Sequence, residues 1–339
     1  QVADAAIAAQ LHSHLEENRK TAIDTTRKWL LASAVADNKK AAKILSSVYI
    51  PAFDDHIIQG MHHDDQHVKQ YMFKAAGLSQ NAALSDALIK AYPVTVNDQA
   101  ILEALQSNGS VALPAIRNFL FLQDCHGTKS RKLISILGKI SNEDAALILN
   151  ECMHRFPAKA EIILPALIQN KKLPGDKKAA YVDALDENLN AAADILFKVE
   201  YLQQSEKDNI KEKALQLELL TIRTNCLYFF ELLYNTEKVT RAAKGFELNT
   251  KDSIANALEL IMLSVPKPYS VIFITVYENS PVSDKCGALQ KHRVRPHINH
   301  EILFKNILFD IGHRYSEWTK SCFLYEHKNS KLPVHPDFI

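Results

Sequence analysis

Apolar positions recur along this chain at the spacing of a helix. Within 43–49 they fall at Ile44, Leu45, Val48 and Tyr49, which is i, i+1, i+4 and i+5. Ile101, Leu102 and Leu105 repeat the pattern, as do Leu113, Ile116, Phe119 and Leu120, and then Leu133, Ile134, Leu137 and Ile140. Such positions form a stripe about 100° wide that must be buried against another helix. Polar turns at Asp54-Asp55, Asp64-Asp65, Asn108-Gly109, Gly127, Ser141-Asn142, Pro174-Gly175, Asn249-Thr250 and Ser316 divide the chain. The predicted helices between them are about 10–18 residues long. Strand-like patterning is nearly absent; the exception is Val271–Tyr277, rich in β-branched residues.

Several segments share one order of residue types. A polar turn comes first, then a cationic or polar residue, then small and large apolar residues at helical spacing. Asp64–Gly77, Thr250–Leu260 and Ser316–Tyr325 follow this order, and Lys129–Gly138 is a weaker copy. The acid caps the helix N-terminus, where it meets the macrodipole. Alanine and serine allow close approach of helices, and the large residues fill the core. This order resembles HEAT repeats, whose period is about 40–47 residues. The resemblance implies an all-α fold, an α-solenoid of about seven or eight HEAT-like helix pairs, in which each pair buries its apolar face by stacking on its neighbours. Residues 1–339 read as one array, clearest near 43–77, 101–140, 145–170, 219–246, 250–265 and 301–327. Residues 328–339, with Pro333 and Pro336, read as an incomplete repeat or an extended tail. Val271–Tyr277 reads as a helix, because a lone strand in such an array has no partner.

Composition narrows the chemistry. Forty Lys+Arg against 39 Asp+Glu leave a net charge of +1, which argues against a chain adapted to nucleic acid or to an anionic membrane surface. Nine glycines in 339 residues is under half of average usage, and no two lie within ten residues of each other. That excludes the dinucleotide fingerprint, the P-loop and the nucleophile elbow, which need clustered glycines. The five cysteines, Cys125, Cys152, Cys226, Cys286 and Cys322, form no CxxC pair and read as buried reduced thiols of a cytoplasmic protein. The longest apolar pieces, Leu258–Val265 and Val271–Val276, are far shorter than a membrane span. A first residue of Gln1 in place of Met suggests a piece of a longer protein.

A narrower resemblance lies in the C-terminal half. Leu219–Tyr234 leads into Val239–Phe246, then Ala255–Ile261, and later Trp318–Cys322. This succession is similar to the HEAT region of bacterial membrane proteins related to nucleotide (ATP/ADP) translocases of the major facilitator type. In that family a transporter-like membrane domain precedes a cytosolic HEAT array, sometimes with a cyclic-nucleotide-binding domain after it. The resemblance implies a cytosolic position at the inner face of the membrane. It also implies a helix after the prolines Pro266 and Pro268. The present chain carries neither the membrane portion nor a glycine-rich barrel, so transport and nucleotide binding do not carry over to its residues.

Candidate sites are few. Asp54, Asp55, His56, His62, His63, Asp64, Asp65 and His67 are the densest group of ligand-type residues. His63 and His67, four apart, would share one helix face and could hold a metal with Asp64 or Asp55. The competing reading, a polar turn whose acids cap the next helix, is preferred, and no metal or other cofactor is expected. Lys285, Lys291, His292, Arg293, Arg295, His297 and His300 form a basic stretch around Pro296, suited to an acidic partner or lipid headgroups. Cys125-His126 and Cys152 with His154 read as core residues, since Cys152 lies on an apolar helix face. The sequence therefore points to a non-catalytic scaffold that binds a protein or peptide on a concave face. Lys69, Arg293, Arg295, His297 and Lys320 are its candidate contacts. Two other classes compete: a HEAT-like DNA glycosylase, which would need a basic groove with a catalytic acid, and a metal-dependent sensor built on residues 54–67.

Overall fold

The computed structural model describes residues 2–172, 178–205, 210–234, 236–310 and 314–329. Every regular element among these residues is a helix. The chain that reads as one array from sequence divides into two compact units: residues 1–156 with 169–172, and residues 157–168 with 173–339.

The first unit contains α1 (Val2–Leu11), α2 (Glu16–Leu30), α3 (Val35–Leu45), α4 (Asp54–Gly60), α5 (Gln66–Gly77), α6 (Ala82–Ala91), α7 (Gln99–Asn108), α8 (Leu113–Leu122), α9 (Gly127–Lys139) and α10 (Glu143–Arg155). From α3 onward each helix packs against the next but one. One row runs α3, α5, α7, α9 and the other α4, α6, α8, α10. Between the rows lies a core that includes Leu45, Phe53, Ile57, Phe73, Leu84, Leu105, Ile116, Leu133 and Leu149. Helix pairs begin at Val35, Gln66, Gln99 and Gly127, about every 30 residues. That is tighter than the 40–47 expected of HEAT units, because the helices are mostly 10–13 residues long and the turns short. Small residues set the spacing. A Cβ on Gly77 would stand 2.7 Å from Ala104 Cα, so α5 and α7 approach each other through glycine.

The predicted turn residues Asp65 and Asn142 act as caps, as does Asn81, where no turn was expected. The Asp65 carboxylate accepts hydrogen bonds from the His67 and Val68 backbone N–H groups, Asn81 Oδ1 from Ala83 N–H, and Asn142 Oδ1 from Ala145 N–H. Where α5 and α8 end, the scarcity of glycine tells: Gln80, Asp124 and Cys125 adopt positive φ of 49°, 46° and 54°.

The second unit contains α11 (Ala160–Asn170, up to residue 168), α12 (Lys178–Ser205), α13 (Ile210–Leu233), α14 (Thr236–Leu248), α15 (Lys251–Ser264), α16 (Lys267–Tyr277), α17 (Val282–Leu289), α18 (His300–Leu308) and α19 (Glu317–Asn329). At 28 and 24 residues, α12 and α13 exceed the expected length. They form an antiparallel hairpin, with Tyr181 against Phe229 at one end and Gln203 donating to Glu212 near the other. Helices α14 and α15 form a second hairpin. There a Cβ on Gly245 would stand 2.9 Å from Ser253 O, and Thr250 and Ser253 make a reciprocal capping box. Val271–Tyr277 lies in α16, as the array reading requires. Pro268 opens that helix, and Ile272, Phe273 and Val276 are its buried stripe. Phe273 meets Phe230, Phe246 and Tyr277 edge-on or tilted at 4.7–5.9 Å. The turn expected at Pro174-Gly175 and residues 330–339 of the expected tail lie outside the described residues.

Candidate functional site

In the second unit the basic stretch becomes a turn at residues 290–293 followed by an irregular strap, 294–299, between α17 and α18, tied to α12 by Arg293 and Arg295. Arg293 Nη2 donates to Asp186 Oδ1 at 2.6 Å and Arg295 Nη2 to Glu200 Oε2 at 2.6 Å. Asp186 and Glu200 are fourteen residues apart on one helix, about 21 Å at 1.5 Å per residue. The two arginine arms therefore splay in opposite directions along α12. Arg295 also lies over the Phe197 ring at 5.7 Å. The Cys286 thiol donates to Leu196 O at 3.7 Å, and burial, with the Glu200 charge beside it, pushes that thiol up to about 12. Tyr201, Arg295, Pro296, His297 and Ile298 line a cleft of about 410 Å³. Asn190, Asp194, Phe197, Arg293 and Val294 are among the residues around a smaller one of about 200 Å³.

Beneath the strap, α12 and α13 carry charges inside the unit. Lys198 is buried and donates to Asp194 Oδ2 at 2.5 Å and to the Tyr315 hydroxyl at 2.7 Å. Burial pulls the Lys198 ammonium down, but Tyr315 and Asp194 outweigh it and its pKa is raised. Burial likewise raises the Tyr315 phenol. Glu218 accepts from Ser316 N–H at 2.9 Å, from Ser316 Oγ at 2.6 Å and from Thr319 Oγ1. It thereby caps the start of α19 from another helix. These groups hold elements together, each matched in charge or in hydrogen bonds.

In the first unit a different surface forms at the α6–α7 and α8–α9 turns. Lys129, in the first turn of α9, donates to the Tyr92 carbonyl and to Thr95 O, and its ammonium lies 4.7 Å from the Tyr92 ring centroid. Lys132 pairs with the buried Asp98 at 2.8 Å, and Tyr92 stacks edge-on against Phe119. These contacts bring the α6–α7 turn beside the end of α8. Val94, Val96 and Leu122, each at least 81% exposed, project on that edge.

The remaining sequence candidates scatter. Helix α5 begins at Gln66, so His63 sits in the preceding turn and does not share a helix face with His67. His63 Nδ1 accepts the Asp65 backbone N–H, Asp65 is the cap, and Asp64 and His67 are exposed. Among the described residues no group of three or more His, Cys, Asp or Glu side chains converges as a metal site. Lys69 lies in the first turn of α5 and is partly exposed. Lys320 pairs with Glu317 at 3.1 Å on α19. His297 is exposed and lines the larger cleft, while Arg293 and Arg295 face acids of the same unit.

Sequence reading missed Lys198, Glu200 and Glu218. The available signal was charge interrupting an apolar run, as in Leu196-Phe197-Lys198-Val199-Glu200. It also missed the turn edge, for which Val94 and Val96 in a polar turn were the signal. Among the described residues no helix is long and apolar enough to cross a membrane. No protein-family model, curated protein or solved structure matches the chain.

Proposed function

We propose that this chain is a non-catalytic, HEAT-like helical scaffold that binds a protein or peptide, and that the turn edge of the first unit is its contact surface. The observation that carries this reading is the exposure of Val94 and Val96 in the α6–α7 turn and of Leu122 at the end of α8, two segments joined by the Lys129–Tyr92 and Tyr92–Phe119 contacts. Grouped apolar exposure rimmed by polar residues marks interaction surfaces. Lys129 and Lys132 beside it are already paired with the Tyr92 and Thr95 carbonyls and with Asp98, so the partner of choice presents apolar residues. The two-row packing of short helices supports the solenoid part of the reading, since stacked pairs build extended binding surfaces. The buried charges of the second unit support the non-catalytic part, because Lys198, Glu200 and Glu218 are consumed in holding α12, α13, the strap and α19. The similarity of Leu219–Tyr234 and its successors to transporter-associated arrays favours a cytosolic setting with an attached membrane domain nearby.

Photo-crosslinking tests the contact. A photoreactive residue at Val96, in cells that make the protein naturally, is expected to give one discrete adduct of higher mass. Leu122→Asp should abolish that adduct while stability changes by less than about 0.5 kcal/mol, as for other exposed positions. Equal labelling from Val96 and from the exposed Gln106 would overturn the reading.

A further inference from the structure

The scaffold reading places its contact on the first unit and leaves the larger cleft of the second unit unused. Arg295, Pro296, His297 and Ile298 of the strap line that cleft together with Tyr201 of α12. Its volume of about 410 Å³ lies in the range of small-molecule sites. We propose that the cleft binds a phosphate group, with Arg295, His297 and Tyr201 as its hydrogen-bond donors.

Three observations carry this. The first is spare donors. An arginine has five N–H groups, and the one hydrogen bond of Arg295 runs from Nη2 to Glu200. Neither the His297 ring nor the Tyr201 hydroxyl is hydrogen-bonded to any described residue. The second is preorganisation. Arg295 lies over the Phe197 ring at 5.7 Å, and the buried Glu200 holds its Nη2 at 2.6 Å, so the guanidinium is fixed before a ligand arrives. A donor fixed in advance loses little freedom on binding. The Arg295 side chain is still 41% exposed, so the N–H groups that Glu200 leaves are within reach of a ligand. The third is an orphan donor in the adjoining cleft. Arg293 lines the cleft of about 200 Å³, which shares Pro296 with the larger one, and its Nε is buried without a partner. A buried guanidinium N–H that lacks an acceptor marks a place where something outside the chain supplies one.

The donor set selects the anion. A carboxylate has two coplanar oxygens and is served in full by one arginine fork. Arg295 already gives part of its fork to Glu200. A phosphate monoester presents three acceptor oxygens at tetrahedral angles, which three side chains from two segments can meet one by one. Glu200 offsets part of the Arg295 charge, so binding rests on directed hydrogen bonds more than on net charge. Such a phosphate comes from one of two sources, a free phosphorylated solute or a lipid headgroup, and the chemistry of the cleft is the same for both.

The test uses the full chain. It is titrated with glycerol phosphate and, at matched ionic strength, with acetate, while the ring resonances of its 14 histidines are followed. The resonance that disappears in His297→Ala is expected to shift and saturate with glycerol phosphate and not with acetate. Arg295→Lys keeps a cation for Glu200 but loses the fork, and should weaken binding about tenfold. Tyr201→Phe removes one neutral donor and leaves the Glu200 pair intact; a weakening of about fivefold is expected. Phosphatidylcholine vesicles with and without phosphatidic acid separate the two sources. Co-sedimentation that needs phosphatidic acid and is lost in Arg295→Lys and Tyr201→Phe assigns the site to a headgroup. A saturating titration without co-sedimentation assigns it to a free solute. An equal shift with acetate, unchanged affinity in both variants, or co-sedimentation indifferent to them would overturn the proposal, as would the absence of both a saturating shift and co-sedimentation.

Discussion

The two units differ in which polar side chains they bury, although Asp98 of the first unit is a buried charge as well. The first buries neutral amides at helix ends. Asn38 Nδ2 donates to the carbonyls of Trp29, Leu30 and Ala32, Asn108 Nδ2 to Ser85 Oγ, and Asn170 Nδ2 to Leu137 O and Ile140 O. The second buries charges on its two long helices, Lys198, Glu200 and Glu218 well inside them and Lys211 in the first turn of α13. The difference follows from helix length. Short helices crowd many unpaired terminal carbonyls and N–H groups together, and amides can serve both kinds. Long helices have few ends, and their interior positions meet segments from far along the chain. Pairing distances agree: Asn108–Ser85 and Asn170–Leu137 span 23 and 33 residues, whereas Arg293–Asp186 and Lys198–Tyr315 span 107 and 117. The first unit is thus held by near-neighbour stitches, the second by long-range charge pairs that form only when the whole unit is folded.

The two tryptophans allow each unit to be read separately, Trp29 on α2 and Trp318 on α19. Glu218→Ala should have the largest effect, since it strips the acceptor from Ser316 and Thr319 inside the unit. A loss of about 3 kcal/mol is expected, the upper end for hydrogen bonds to a charged group, seen by Trp318 fluorescence in denaturant and not by Trp29. Equal shifts at both tryptophans would break the comparison. Asn170→Ala should cost about 1–3 kcal/mol by leaving Leu137 O and Ile140 O without their donor. Its signature is faster amide exchange in α9 with the Trp318 transition unmoved.

Gly77→Ala and Gly245→Ala ask whether close approach matters equally in both units. Each Cβ would meet a neighbour under 3.0 Å, so each should cost about 1–3 kcal/mol. Gly77→Ala should move the Trp29 transition and Gly245→Ala the Trp318 transition.

The pH limits should sharpen the contrast most finely. Asp65 is held below its ordinary pKa, chiefly by the Val68 backbone N–H. Its contribution is present above about pH 4 and is lost as pH falls through the lower folded value. Asp65→Asn should therefore flatten the acid limb of the first unit's stability curve. Lys198 and Tyr315 are raised, so their contribution is complete below about pH 10 and is lost as pH climbs through the raised values. Tyr315→Phe should change the alkaline limb of the second unit, read from melting at pH 8 and pH 11.

Much of this was legible before any coordinates. Asp65, Asn142, Thr250 and the polar turn at Ser316 mark helix starts, because a cap is a local bond between residues two or three apart. The i, i+4 stripes at Ile44–Val48 and Leu133–Leu137 lie in buried faces for the same local reason. Val271–Tyr277 is a helix because burying Ile272, Phe273 and Val276 outweighs β-propensity. The shared face assumed for His63 and His67 failed by three residues, since the Asp65 cap starts α5 after His63.

By itself, then, the sequence determined the helical class, the caps and the apolar stripes, all of which depend on neighbours within about one helical turn. Only the tertiary structure decided which charges go inside, that Arg293 and Arg295 meet Asp186 and Glu200, and that the chain forms two units. Those pairings join residues 95 and 107 positions apart. Their energy comes from burial and charge compensation, which exist only once distant helices have packed.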